Sequence, residues 1–334
     1  MLTYNWSFTD YPTKNKYKVF GCFVCGGGST MGYKLAGFNH LGGVEIDPTI
    51  AEVYKKNHNP KYFYNQDIRD FNCKTELPPE LLDLDLLDGS PPCSSFSMAG
   101  AREKSWGKKK QFAEGQVHQV LDDLVFEYVK TIGKLKPKVF LLENVTGILK
   151  GNAVQYSKKI VSNLKELGYN TQVFQLNAAS MGVPQKRERV FFIGHKKEFT
   201  LPPLKLVFNE KPITYKEIEI DQNSRPISSV KLPYWKIAKP GTSLSSVHPK
   251  GHFFNDIKVS PDQPLNTIAS CQDYVYHYST PRKLCTKEIL RASSFPRDFN
   301  FLSKKPNFIM GMSVPPLMIA RIAEQIKVKW LDVL

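Results

Sequence analysis

Between Tyr17 and Gly194 short apolar runs alternate with stretches whose apolar residues recur at helical spacing. The runs KVFGCFV (18–24), GGVEID (42–47), YFYNQDI (62–68), LLDLDLLD (81–88) and KVFLLENV (138–145) predict strands. Segments 29–38, 48–57 and 120–134 predict the helices between them. Strands that are apolar along their length are buried on both faces, as in a parallel sheet covered by helices. The predicted fold class is therefore α/β, a doubly wound, mostly parallel sheet. After Gly194 the pattern changes. Residues 195–281 are rich in Lys, Pro, Ser, His and Tyr and show no long amphipathic helix, which predicts a smaller, irregular or β-rich second domain. Helical spacing returns in KEILRASSF (287–295) and in MIARIAEQIKVKWL (318–331).

At 334 residues the chain is long enough for one large domain with an appendage or for two ordinary ones. No stretch approaches the roughly 18 consecutive apolar residues of a membrane span. The start, MLTYNWSFTDYPTKNKYK, has no apolar core before a cleavage site, so neither a signal peptide nor membrane association is expected and the predicted location is cytoplasmic. Six scattered cysteines (Cys22, Cys25, Cys73, Cys93, Cys271, Cys285) are then expected to be thiols. Lys and Arg outnumber Asp and Glu 46 to 31, a net charge of +15 that suits a polyanionic partner through counterion release. An A·T-rich genome would also raise the lysine content, so charge proposes nucleic acid without proving it.

Chemistry concentrates where the predicted strands end. Gly26-Gly27-Gly28 after the first strand allow close approach of backbone to a ligand, although the spacing is not that of a dinucleotide fingerprint. Glu45 and Asp67, read as ending the second and third strands, place two acids along the same crevice, one suited to a ribose diol and one to an adenine amino group. Cys22 and Cys25 lack a second cysteine pair, and no metal is expected. The sharpest feature is Gly89-Ser90-Pro91-Pro92-Cys93-Ser94. Two prolines make a stiff turn that holds Cys93 at the carboxyl edge of the sheet, where a thiol can act as a nucleophile. Glu143 ends the next strand, at a position where a carboxyl group can move a proton.

Pro91-Pro92-Cys93, Glu143-Asn144-Val145 and Gln185-x-Arg187-x-Arg189, in this order after a glycine-rich turn, resemble the cytosine-5 DNA methyltransferases of prokaryotic, phage and restriction-modification type. The resemblance continues through Arg282, Glu288, Arg291 and Phe295-Pro296 to Gly311-Met312-Ser313-Val314-Pro315-Pro316. Two positions depart from the family pattern: Cys25 stands where the first glycine of the first motif is usual, and Met312 where an asparagine is usual. The resemblance implies a Rossmann-like catalytic domain over 1–194 plus 307–334 and a target-recognition domain over 195–306, with 282–296 on its hinge side. It implies S-adenosylmethionine as methyl donor, held by Phe23, Gly26, Gly27, Gly28, Glu45, Ile46, Asp67, Ile68, Ser90, Pro91, Leu124, Ser313 and Val314.

By the same resemblance the thiolate of Cys93 attacks carbon 6 of a flipped cytosine and makes carbon 5 nucleophilic. Glu143 then binds N3, and Arg189, with Arg187 behind it, holds O2 and shapes the pocket. Ser94, Lys108, Lys109, Lys110 and Gln185 are expected on double-stranded DNA, with residues 94–118 as a closing loop. Lys231, Lys236, Lys239, His248, Lys250 and His252 are expected to position phosphates in the small domain. A monomer is expected, with a cognate restriction endonuclease as a further partner. Two alternatives stay open: a tRNA cytosine-5 methyltransferase, whose branch carries Cys-Phe-Thr where this chain has Cys271-Gln272-Asp273, and an inactive DNA-binding module.

Overall fold

The run after Tyr17 forms β1 (Lys18–Cys22), followed by α1 (Gly28–Leu35), β2 (Asn39–Val44), α2 (Pro48–His58), β3 (Tyr62–Tyr64) and α3 (Ile68–Cys73). Next come β4 (Leu86–Gly89), α4 (Leu124–Leu135), β5 (Val139–Val145), α5 (Ala153–Glu166) and β6 (Tyr169–Asn177). A two-residue β7 (Gln185–Lys186) precedes β8 (Glu188–Lys196). This computed structural model describes residues 3–92, 123–151, 153–220, 224–270 and 274–334.

Seven strands make one sheet in the order β3-β2-β1-β4-β5-β8-β6. β1 pairs in parallel with β2 and β4, β3 with β2, and β5 with β4, whereas β8 runs antiparallel to β5. The chain winds outward from β1 to β3 and then returns to β4 on the other side of β1. That reversal is the switch point at which open α/β sheets leave a crevice beyond their carboxyl ends. The apolar strands carry the core: Phe20, Leu87, Phe140, Leu142, Val190 and Phe192 are buried, with Tyr128, Ile132, Ile160 and Leu164 from α4 and α5 in the same cluster. The sheet predicted from alternating strands and helices is thus present. Leu81–Asp85, however, lies outside β4, and the predicted strand 62–68 stops at Tyr64. Asp67 instead caps α3, its carboxylate accepting from Arg69 N at 2.8 Å.

The chain divides into two compact units. The sheet unit comprises Pro12–Leu176, Glu188–Val207 and Ala320–Leu334; the second comprises Met1–Tyr11, Asn177–Arg187 and Phe208–Ile319. These limits differ from those drawn at 194 and 306. The excursion between β6 and β8 belongs to the second unit because Leu265 N bonds to Pro184 O and β7 pairs with β10 (Leu265–Asn266). The amino-terminal residues join that unit through Trp6, whose indole donates to Ser294 O at 2.8 Å and whose carbonyl accepts from Arg297 N.

The second unit has short elements: α6 (Tyr215–Ile218), α7 (Leu232–Ile237), β9 (Ile257–Lys258) paired with β11 (Val275–Tyr276), α8 (Thr286–Ala292) and α9 (Pro306–Met312). The carboxyl-terminal α10 (Pro316–Lys329) follows. A small apolar cluster of Ile227, Trp235, Ala238, Leu244 and Tyr276 lies in this unit, and buried polar bonds tie its short elements together. Glu288 accepts from Arg282 and Tyr215, and Asp256 from Lys231 and Tyr276. Among the described residues no helix is long and apolar enough to cross a membrane.

Candidate active site

The carboxyl end of β1 turns through Phe23–Gly27 into α1, and three of those five residues adopt left-handed backbone: Phe23 (φ 59°), Cys25 (φ 47°) and Gly27 (φ 86°). Only glycine does so without cost; for other residues this region costs about 1–2 kcal/mol. Cys25 is therefore strained where the family pattern has glycine. Cys25→Gly is expected to stabilise the protein by about 0.5–1 kcal/mol after the larger chain entropy of glycine is subtracted. A rise in the urea midpoint at unchanged slope is the check; an unchanged or lower midpoint counts against strain at this position.

Glu45 follows β2 and reaches back to this turn. Its carboxylate accepts from Cys25 N at 2.9 Å and from Asp47 N at 3.0 Å, while Asn65 Nδ2 donates to the carbonyls of Glu45 and Ile46. Burial pushes the Glu45 carboxyl up to about 7, against the lowering effect of the two amide bonds. Asp67 is paired with Arg69 at 3.0 Å and Ile68 is buried. Beside them Gln66 Nε2, which the sequence reading passed over, is buried with no partner among the described residues. A glutamine beside a carboxylate that caps a helix is the signal that was there to find.

β4 supplies the other wall of the switch point. Gly89 pairs with Cys22 on one side and Leu142 on the other. A side chain at Gly89 would meet the Tyr128 ring at 2.3 Å, because Tyr128 lies across the sheet to donate to Leu87 O and Leu141 O. Ser90 Oγ is buried without a partner among the described residues, Pro91 is buried, and Leu124, the first residue of α4, is also buried. Cys93, Ser94, Lys108, Lys109, Lys110 and the rest of the expected closing loop lie outside the described residues, as does Cys271.

One residue beyond Leu142 on β5 stands Glu143, opposite Phe191, and Val145 pairs with Arg189 across the antiparallel seam. Arg189 Nε meets Glu143 Oε1 at 2.9 Å, with the side chains 14% and 9% exposed, and Arg189 Nη1 donates to Glu188 O at 2.7 Å. Burial pulls the guanidinium below its ordinary pKa while Glu143 opposes the shift. The two residues predicted to bracket the base therefore meet.

Several predicted residues are placed in the second unit. Gln185, expected on DNA, is 1% exposed, its Nε2 donating to Ala292 O and its Oε1 accepting from Ile268 N. Both ends of the amide are thus spent on main chain, and the expected DNA contact is corrected to a brace within the protein. Arg187 is likewise buried, its two terminal nitrogens each 3.0 Å from the carbonyls of Ile268 and Gly311. Ser313 donates to Ile309 O, and Val314 is buried. Lys231 pairs with Asp256 at 2.7 Å and lies over the Phe253 and Tyr274 rings, which withdraws it from phosphate contact. Lys236, Lys239, Lys250 and His252 are exposed, and His248 packs against Tyr234 and Phe253.

A doubly wound sheet with a glycine-bearing turn and an acid at its switch point is a Rossmann-like fold. Solved structures agree on that fold. A DNA modification methyltransferase encoded within an E. coli prophage superposes with a TM-score of 0.74 at 19% identity, covering 95% of this chain and 100% of that one. The S. pombe Dnmt2 methyltransferase gives 0.64 at 16% identity, covering 95% and 99%. The chain matches the C-5 cytosine-specific DNA methylase family over residues 17–243 and 217–328, and it belongs to that family. Among curated relatives, the Type II methyltransferase M1.HphI of Haemophilus parahaemolyticus is 29% identical over 97% of this chain and 92% of its own. M.NgoPII of Neisseria gonorrhoeae is 28% identical over 94% and 96%. The protein is a DNA cytosine-5 methyltransferase.

Proposed function

We propose that the chain methylates carbon 5 of a cytosine extruded from double-stranded DNA within one short sequence, using S-adenosylmethionine, as the modification partner of a restriction endonuclease. The observation that carries the site assignment is the buried Glu143–Arg189 pair, one residue beyond the strand row that holds Gly89. The Type II names of the relatives support the restriction-modification setting.

The described residues fit the adenosyl portion of the donor. Glu45 offers a carboxylate to the ribose hydroxyls, while the buried Gln66 Nε2 and Ser90 Oγ have no partner among the described residues. When bound, the donor supplies a methyl group on a positively charged sulfur. The protein's task is to make carbon 5 of cytosine attack it. The Cys93 thiolate adds to carbon 6, the electrons pass to carbon 5, and Glu143 donates a proton to N3, which stabilises the negative charge that moves onto the ring. Arg189 fixes the Glu143 carboxylate and supplies a donor to O2. After methylation the C5 proton passes to water, and the electrons of the C5–H bond re-form the C5–C6 double bond and expel the Cys93 sulfur as thiolate. Stacked duplex hides both faces of the base, so the cytosine must leave the helix first. Exposed Lys236, Lys239, Lys250 and His252 supply phosphate contacts in the second unit.

Bisulfite sequencing of unmethylated DNA after incubation with the protein and S-adenosylmethionine tests this reading. Protected cytosines confined to one short sequence are the expected result. Methyl incorporation into tRNA with none into DNA points to the tRNA branch, and transfer to neither overturns the reaction.

A pH dependence follows from Glu45. A carboxyl raised from 4.5 to about 7 holds its proton more tightly folded than unfolded, so its contribution to stability is full below 4.5 and lost as pH rises to about 7. Donor binding has the opposite sign, because a ribose diol is best accepted by the ionised group. Affinity for S-adenosylhomocysteine is expected to rise between pH 6 and 8 by roughly tenfold, and Glu45→Gln to remove that slope. Titration calorimetry across this range checks it; identical slopes in both proteins would refute the assignment.

A further inference from the structure

The glycine-bearing turn has a second brace besides Glu45. His58, the last residue of α2, is 5% exposed and places Nε2 at 3.0 Å from Gly26 O. A carbonyl oxygen only accepts, so Nε2 is the protonated nitrogen and donates. Burial and the nearby Lys34 push the imidazole down to about 3, which keeps it neutral at working pH. The ring is held by its neighbours. Tyr54 packs on it at 4.6 Å between centroids, the Tyr54 hydroxyl meets Thr30 Oγ1 at 3.0 Å, and Lys34 donates to the His58 carbonyl at 2.9 Å. The next residue, Gly27, has φ 86°, and a Cβ there would sit 2.0 Å from His58 Nε2. The imidazole thus fills the volume that a side chain at Gly27 would occupy.

We infer that His58 is a positioning residue for the methyl donor: by donating to Gly26 O and filling the space behind Gly27, it holds the turn in its binding shape without touching the donor. The inference rests on the assignment of this turn to the donor. Two side chains from different elements grip three consecutive residues of the turn, Glu45 at Cys25 N and His58 at Gly26 and Gly27. Left-handed backbone at Phe23 and Cys25 does not maintain itself, so a turn deprived of one grip spends more of its time in other conformations. A ligand that needs the gripped shape then binds more weakly, while the chemistry at the base is unaltered once the ligand is bound.

The test is binding of S-adenosylhomocysteine by calorimetry, together with steady-state transfer to DNA, in the full chain. His58→Leu keeps the volume and removes the donor. Its affinity is expected to fall about tenfold, with the KM for S-adenosylmethionine rising by the same factor and kcat at saturation within about twofold. His58→Gln, whose amide reaches the Nε2 position, should recover most of the loss, and His58→Asn, which falls short, should not. Gly27→Ala should cost less in a His58→Ala background than in the wild type, because the collision is gone and only the backbone strain remains. Wild-type affinity in a folded His58→Leu overturns the inference. If His58→Leu does not fold, equal affinity of the Gln and Asn variants overturns it. Failure of the wild type to bind S-adenosylhomocysteine would instead remove the assignment of the turn to the donor, and this inference with it.

Discussion

Cys93→Ser is expected to reduce methyl transfer by roughly four orders of magnitude or more while leaving S-adenosylhomocysteine affinity unchanged. Carbon 5 of cytosine is too poor a nucleophile to take the methyl group unaided, so the rate depends on how readily the ring can be opened to attack at carbon 6. A thiol at neutral pH is a few per cent thiolate and is intrinsically nucleophilic. A serine hydroxyl is neither. The described residues that lead to Cys93 are Gly89, in register with Cys22 and Leu142 at the switch point, then Ser90, Pro91 and Pro92. Single-turnover transfer of a radiolabelled methyl group to DNA measures the chemical step directly. A serine variant within tenfold of the wild type would end the covalent mechanism.

The second large effect belongs to the Glu143–Arg189 pair, and its two halves should fail differently. Arg189→Met leaves a buried carboxylate without its partner, which typically costs about 3–5 kcal/mol of folding stability. A large drop in the urea midpoint is expected, with activity lost in proportion to the unfolded fraction and beyond it. Glu143→Gln keeps the shape and a hydrogen bond to Arg189, so the fold should be nearly as stable. Here kcat should fall by about 10²–10³ because an amide cannot give N3 the proton that neutralises the charge moving onto the ring. Denaturation curves and saturating-substrate rates on both variants separate the roles. Equal stability loss in the two, with equal kcat loss, would mean that the pair serves only to hold β5 against β8.

Much of the sheet was legible because strands buried on both faces write themselves as apolar runs, and the strand that carries Glu143 is such a run. Asp67 was misplaced for a related reason. β3 is only three residues long at the edge of the sheet, and the apolar residue after Asp67 belongs to a helix that it caps. Pattern alone does not separate an acid that ends a strand from one that starts a helix three residues later. Gln185 and Lys231 show a different limit. Residue type says what bonds a side chain can make, but not whether its partner is a phosphate, a base or the protein's own main chain. That choice depends on Ile268, Ala292 and Asp256, more than twenty residues away in the chain. The boundary at 194 missed the excursion between β6 and β8 for the same reason, since β7 finds its partner at Leu265.

The interleaving of the two units bears on the order in which the protein can be made. The second unit needs residues near both Trp6 and Ser294, and the sheet unit needs Tyr17 against Leu331, whose carbonyl accepts from the Tyr17 hydroxyl at 2.9 Å. Neither unit can close before its farthest partner has left the ribosome, Ser294 for the second unit and Leu331 for the sheet unit. Contacts spanning nearly the whole chain also make folding slow relative to a protein built from local contacts. A truncated or nascent chain is therefore expected to carry the residues for chemistry without an assembled enzyme. The lag between translation and an assembled methyltransferase is therefore expected to include the time needed to make and release the segment that carries Leu331.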